Sequence, residues 1–476
     1  MSKRVAKILV GGRWVEGPHR LEVRNPYDGG LVAETFRAGP ELLGEAVDHA
    51  DGAVAVLREL PSYRRAEVIS KVAAALKERG EEVARTIAAE AGKPIRDART
   101  ETARAVCTFE IAAAEARRMG GEVLALDVIA GAEKRMGMVR RFPVGAVLGI
   151  SPFNFPLNLV AHKVAPAMAC GAPIIIKPAS ATPLTALLLG EIVTEAGWPA
   201  GGLQVTPCSG ADAESHLFGD ERIKKLTFTG SAAVGWRLKA ASGTKKVTLE
   251  LGGNAAVIVH GDADLDYAAM RCSTGAFSYA GQICISVQRI YVQRRVFDDF
   301  SRRFVGRVRA LRLGDPLDES TDVGPMIEAG AAEKTEAWVA EAVEGGARLL
   351  AGGKRRGALF EPTILTGTTP EMKVCGEEAF APVVVLEPYD DFDEALAASN
   401  ASKYGLQAGV FTRDLVLAHR AYETLEVGGV IINDVPTFRV DNMPYGGVKM
   451  SGMGREGVRY AIEEMTEPRL MVLNLS

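Results

Sequence analysis

Two side chains carry most of the chemistry this sequence can do. Cys284 lies in Gly281-Gln282-Ile283-Cys284-Ile285-Ser286, 34 residues after Glu250 of Leu249-Glu250-Leu251-Gly252-Gly253. A thiolate is the strongest nucleophile among side chains, and a carboxylate is a competent base for activating water. One group can hold a substrate as a covalent ester, and the other can hydrolyse it. A cysteine beside glycine is by itself most often a small buried hydrophobe, so the reading rests on the motifs around it.

Those motifs sit at the ends of short apolar runs. Ile150-Ser151-Pro152-Phe153-Asn154-Phe155-Pro156 closes one run. The Asn154 amide could donate to a developing oxyanion, or it could form an Asx-turn before a proline. Ile174-Ile175-Ile176-Lys177-Pro178 closes the next; Lys177 could bind ribose hydroxyls or phosphate, or be a solvated strand end. Thr227-Phe228-Thr229-Gly230-Ser231 passes into a predicted helix that continues through Gly235. Gly230 and Ser231 would leave backbone N–H groups free for a phosphate, although the Gly-x-Gly-x-x-Gly fingerprint is absent and Ser231 could be only an N-cap. Glu250 ends a fourth run among apolar neighbours, a setting that tunes a carboxyl pKa.

These strand ends, together with Cys284, resemble the aldehyde dehydrogenase superfamily. The resemblance spans essentially the whole chain, from Arg24-Asn25-Pro26 to Pro444-Tyr445-Gly446-Gly447-Val448-Lys449-Met450-Ser451-Gly452. It implies Cys284 as nucleophile, Glu250 as general base and Asn154 as the side-chain half of an oxyanion hole. It implies Lys177 at the adenosine ribose, Gly230 and Ser231 at the pyrophosphate, and Glu378 and Phe380 at the nicotinamide ribose and ring. Ile150, Ser151, Pro152, Phe153, Ser180, Gly210 and Leu251 complete the expected cofactor contacts. Ala381 stands where the family usually has Gly. The implied reaction is NAD(P)-dependent oxidation of an aldehyde through a thiohemiacetal and a thioester. Glu250 favours hydrolysis over transfer to coenzyme A; a coenzyme A-acylating enzyme and a non-catalytic relative are the alternatives. A thiol hydrolase would want a histidine partner, and no local signature ties one to Cys284. Ser180 has no charge where NAD-preferring relatives often carry Glu, so the expected cofactor is NAD or NADP, with NADP accepted. Asn158 and His162, at i and i+4 on one helix face, and Arg439 suggest a small polar or anionic aldehyde. The chain is similar to the branch of lactaldehyde, non-phosphorylating glyceraldehyde-3-phosphate and phosphonoacetaldehyde dehydrogenases.

The elements that must position these groups read as α/β. Helical patterns cover Pro40 to Leu60, Pro61 to Gly92 and on to Arg118, and a helix is expected over Asn154 to Lys163. Apolar strands then alternate with helices, as in a parallel sheet covered on both faces. The expected organisation is a nonstandard Rossmann cofactor domain (1–120 and 142–252), a catalytic domain (253–445) and a small β oligomerisation element (121–141 and 446–476). The strand-like arm would seek a partner edge, giving a homodimer or homotetramer. With 476 residues and net charge −4, no basic excess suggests nucleic acid or an anionic membrane. No run reaches the roughly 18 apolar residues of a membrane span, and the start is not of signal-peptide type. Six scattered cysteines without a Cys-x-x-Cys pair suit a reducing, cytoplasmic setting. No His or Cys cluster of metal-site spacing is present.

Overall fold

The computed structural model describes residues 5–475; the first four residues of the expected cofactor segment and Ser476 of the C-terminal element lie outside it. Strands such as Ile174–Lys177 and Ala146–Ile150 are buried along almost their whole length, as continuous apolar runs in a parallel sheet must be. The parallel strands of the first sheet lie in the order Leu203–Val205, Ile174–Lys177, Ala146–Ile150, Ile223–Thr229, Lys246–Glu250. The hairpin Ile8–Val10 and Arg13–Val15 flanks one edge, and Gly452–Met453 pairs antiparallel at the other. Winding reverses between Ala146–Ile150 and Ile223–Thr229, and at such a switch point a crevice opens beyond the carboxyl ends of the strands.

The second sheet runs Arg348–Ala351, Thr363–Thr366, Val383–Tyr389, Val287–Gln293, Ala255–Val259, Gln407–Phe411, Gly429–Ile432, parallel except at Arg348–Ala351. A third, antiparallel sheet joins Gly121–Ala125, Arg135–Pro143 and Thr466–Asn474. It is the expected arm, and it exposes Val123, Leu470, Met471 and Val472. The element assigned to 446–476 is smaller than expected. Gly452–Met453 completes the first sheet and helix Val458–Glu464 packs on helix Asn158–Cys170, because Val458, Ala461 and Ile462 bury there. The helix expected over 61–92 is two, Ser62–Glu78 and Gly80–Ala91; Gly80, a poor helix former, stands at the break.

Two buried glutamates set the helices beneath the strand ends. Helix Asn158–Cys170 is buried at every residue, so it has no wet face on which to satisfy its first N–H groups. Glu101 accepts from the backbone N–H of Leu157 (2.9 Å) and Asn158 (3.0 Å) and pairs with Lys93. Glu90 does the same for helix Leu184–Glu195, accepting from Leu184 (2.8 Å) and Thr185 (2.9 Å). Leaving such donors unpaired would cost ~1–3 kcal/mol each. Among the described residues no helix is long and apolar enough to cross a membrane.

Candidate active site

Cys284, the expected nucleophile, sits at the end of a strained loop. Tyr279, Ala280 and Gly281 are left-handed in succession (φ 47°, 51° and 67°), which costs of order 1–3 kcal/mol per non-glycine residue unless the surroundings enforce it. They do. The Tyr279 hydroxyl donates to Ala91 O at 2.7 Å, and Gln282 Oε1 accepts from Ile327 N at 2.8 Å. A Cβ at Gly281 would lie 2.1 Å from Ala381 O, so only glycine lets the loop dock on the backbone of the opposite segment. Cys284 emerges half-buried, its Sγ 3.0 Å from the hydroxyl of Tyr445. Burial pushes its thiol up to about 12, and the carboxyls of Glu378 and Glu250 add to this, while Tyr445 and Arg439 oppose it.

Cys284, Glu250 and Asn154 line one cavity of about 340 Å³. Thr229 and Glu250 are register partners at the ends of adjacent strands. Both Glu250 carboxyl oxygens are buried without a hydrogen-bond partner among the described residues, and a Cβ at Gly446 would meet Oε1 at 2.8 Å. Burial, then the nearby Glu456, hold Glu250 well above the usual carboxyl range. Glu456 goes the other way. Burial alone would raise it, but Lys163 Nζ (3.0 Å) and Arg439 (3.1 Å) outweigh that and hold it at about 2. The two buried carboxyls are thus shifted in opposite directions, the raised one facing the cavity and the lowered one behind it. The Asn154 amide donates to Gln282 O at 2.9 Å, and its second N–H remains for another acceptor.

The cofactor residues fall into two groups. Pro152, Phe153, Gly230, Ser231, Leu251, Glu378 and Phe380 line the cavity with the nucleophile. Phe153 and Phe380, both on the cavity lining, meet edge to face at 5.9 Å. Glu378, pushed up to about 7 by burial, accepts from Gly253 N at 2.9 Å. Ser231 is the N-cap of helix Ala232–Ala240 without a side-chain cap bond, so the first N–H groups of that helix have no side-chain partner at its cap. A Cβ at Gly235 would strike Leu251 at 2.3 Å, so this glycine seats the helix against the segment after Glu250. Open helix N–H groups at the switch point fit a dinucleotide pyrophosphate. The second group lies away from this cavity. Ile150 and Lys177 are register partners at neighbouring strand ends, burial lowers Lys177, and Ser180 is half-buried in the following turn. Ser151 is buried with its hydroxyl unpartnered, and Gly210 opens the short helix Gly210–Asp212 on the surface.

At the other end, Asn158 and Arg439 line the cavity, but His162 does not, which corrects the expectation for it. Its Nε2 lies 2.8 Å from Asp441 Oδ1, and burial, then Arg439, hold the ring below its usual pKa. Asn158 Nδ2 reaches the same Asp441 oxygen at 3.3 Å, so the two residues do share a helix face, but that face meets Asp441. The helix itself starts at Asn158 rather than at Asn154, since Pro156 follows directly after Phe155 and disfavours helical backbone there. Arg104, Lys334, Thr437 and Tyr445 also line the cavity and were not anticipated. Arg104 is held at 2.7 Å by Asp441, 337 residues away; no local pattern marks such a pair. Arg439 stacks on Tyr445 with its guanidinium carbon 3.7 Å from the ring centre.

Residues 14–471 match the model of the aldehyde dehydrogenase family. The chain is 47% identical to 3-sulfolactaldehyde dehydrogenase of Priestia aryabhattai over 468 residues, 98% of each protein. It superposes on aldehyde dehydrogenase 21 of Physcomitrella patens, crystallised with the reaction product succinate, at TM-score 0.98 and 46% identity, covering 100% of this chain and 99% of that one. Against glyceraldehyde-3-phosphate dehydrogenase GapN of Methanocaldococcus jannaschii, complexed with NADP, the TM-score is 0.92 at 40% identity, covering 95% and 99%. A thiol, a buried carboxyl and an amide converging beside a crevice at the switch point belong with these likenesses, and the chain is a member of the aldehyde dehydrogenase family, an NAD(P)-dependent oxidoreductase acting on aldehydes.

Proposed function

We propose that this enzyme oxidises a small anionic aldehyde to its acid, with Cys284 as nucleophile, Glu250 as general base and Asn154 as oxyanion donor. One observation carries the anionic preference. The aldehyde end of the cavity is lined by two guanidinium groups, Arg104 and Arg439, whose partners Asp441 and Glu456 stand outside the lining. The excess is positive in a site of low dielectric, where a carboxylate, sulfonate or phosphate on the substrate restores balance. The relatives named for sulfolactaldehyde and crystallised with succinate carry such groups.

In this reading the Cys284 thiolate adds to the aldehyde carbon, and Asn154 donates to the new oxyanion, worth about 3 kcal/mol. Gly230, Ser231, Glu378 and Phe380 would hold the dinucleotide, whose nicotinamide supplies the hydride acceptor. The resulting thioester at Cys284 is hydrolysed by water that Glu250 deprotonates. Because burial raises both Cys284 and Glu250, each acts as its deprotonated form, which a higher pH favours. The presence of Glu250 supports hydrolysis over acyl transfer to coenzyme A. Lys177 and Ser180 support acceptance of NADP: a preference for NAD above about a hundredfold in kcat/KM, ~2.7 kcal/mol, would end that part of the proposal. The exposed apolar sheet around Val123 and Leu470 supports a homodimer or dimer of dimers, which light scattering measures directly. Six free cysteines support a reducing cytoplasmic setting.

The test is reduced-cofactor formation with lactaldehyde, 3-sulfolactaldehyde, glyceraldehyde-3-phosphate, succinic semialdehyde and hexanal, with and without coenzyme A. Preference for the charged aldehydes without any need for coenzyme A is expected. Preference for hexanal would refute the anionic reading, and strict dependence on coenzyme A would refute hydrolysis.

A further inference from the structure

Tyr445 lies within the C-terminal motif of the family resemblance but has none of the roles above, yet its hydroxyl touches the reacting sulfur. Its oxygen is 3.0 Å from Cys284 Sγ, and its side chain is buried (3% exposed) against Ile285 and Leu406. Its place is enforced from two directions. Its backbone forms a bridge with Glu456, and its ring lies under Arg439, which Glu456 grips. We propose that Tyr445 is a further catalytic residue, whose hydroxyl donates to the Cys284 thiolate and aims it into the cavity. The inference rests on Cys284 being the nucleophile.

The chemistry follows from what each partner can donate. While the thiol is protonated, either atom of the pair can supply the hydrogen. Once its proton has gone to solvent, only the phenol can, and the bond becomes the stronger charge-assisted kind. Burial, and then the neighbouring Cys284, hold the Tyr445 phenol well above its usual pKa, so it stays a donor at every working pH. The other charged groups near the sulfur are Arg439, which favours the thiolate, and Glu250 and Glu378, which oppose it when ionised. Removing the Tyr445 hydroxyl therefore takes away one of the two influences that favour the thiolate. The cation over the ring face adds to the polarity of the phenol O–H.

The test is alkylation of Cys284 by iodoacetamide as a function of pH, read on the Cys284 peptide by mass spectrometry so that the exposed Cys107 does not interfere. In Tyr445→Phe alkylation should slow by about tenfold at every pH below the thiol's midpoint, because the rate follows the thiolate fraction. kcat/KM should fall by a similar factor while the KM for NADP stays put. An unchanged alkylation rate, or a slowing matched by a raised KM for NADP, overturns the proposal. Should Tyr445→Phe fail to fold, the S–H stretch of the wild-type enzyme, isolated by subtracting Cys284→Ala, decides: a hydrogen-bonded frequency upholds the contact and a free one overturns it. Alkylation needs no turnover, so failure of this inference is distinct from failure of the proposed function, which Cys284→Ala activity reports.

Discussion

The two ends of the cavity are made differently. The nucleotide end is built mainly from backbone and small residues: Gly230, Ser231 and an uncapped helix start, with Phe153 and Phe380 closing over it. The aldehyde end is built from ion pairs, Arg104 with Asp441 and Arg439 with Glu456. In the proposed reading the first would recognise a shape common to all dinucleotides, and the second one charge on one small molecule. Changes at the nucleotide end should therefore move cofactor choice by modest factors, whereas the aldehyde end should discriminate sharply, since a buried charge left unpaired is expensive.

The largest expected effect lies at the junction of the two. Cys284→Ala should lower kcat/KM by about 10⁴-fold or more, measured by steady-state kinetics on any substrate. Glu250→Gln should cut kcat by about 10²–10³-fold while leaving one stoichiometric burst of reduced cofactor per active site; a lost burst would place Glu250 before the thioester. Arg104→Ala should cost about 30-fold in kcat/KM for anionic aldehydes, ~2 kcal/mol, and leave hexanal unchanged; an equal loss for both would break the contrast between the ends. Arg439→Ala is the harsher change, because it also strips Glu456 of a partner. Ser180→Glu should shift the NADP-to-NAD ratio of kcat/KM by about tenfold toward NAD. Across pH 6 to 9, kcat/KM should rise without levelling near 7. The signs agree: the Cys284 thiol is raised to about 12 and Glu250 is raised above its usual range, so every step up in pH enlarges the deprotonated fraction of both.

The residues readable from the sequence share one property. Glu250, Asn154 and Gly230 each end or follow an apolar run, and a parallel sheet gathers such ends at one edge; Cys284, in a loop before strand Val287–Gln293, was marked by its motif instead. The arm was readable because its alternation had no core to face. Arg104 and Asp441 were not, because their meeting depends on the long return of the chain from residue 104 to 441. His162 shows the limit of periodicity. The spacing correctly puts it on the face of Asn158, but only tertiary packing decides that the face meets Asp441 rather than substrate. Glu90 and Glu101 look in sequence like ordinary charges on exposed helices; they are buried because two helices with buried first turns need their N–H groups answered.

The succession Tyr279, Ala280, Gly281 has a consequence for how this enzyme should fail. The loop holds its shape only while Ala91 on one side and Ala381 on the other press against it. A slight parting of the two sheets, too small to melt either, would let these residues relax and turn the sulfur away. Under gentle heating or dilute denaturant, catalytic capacity should vanish while circular dichroism still reports an intact protein, and it should return promptly on cooling. The thiol would then serve as a gauge of domain closure, more sensitive than any measure of secondary structure.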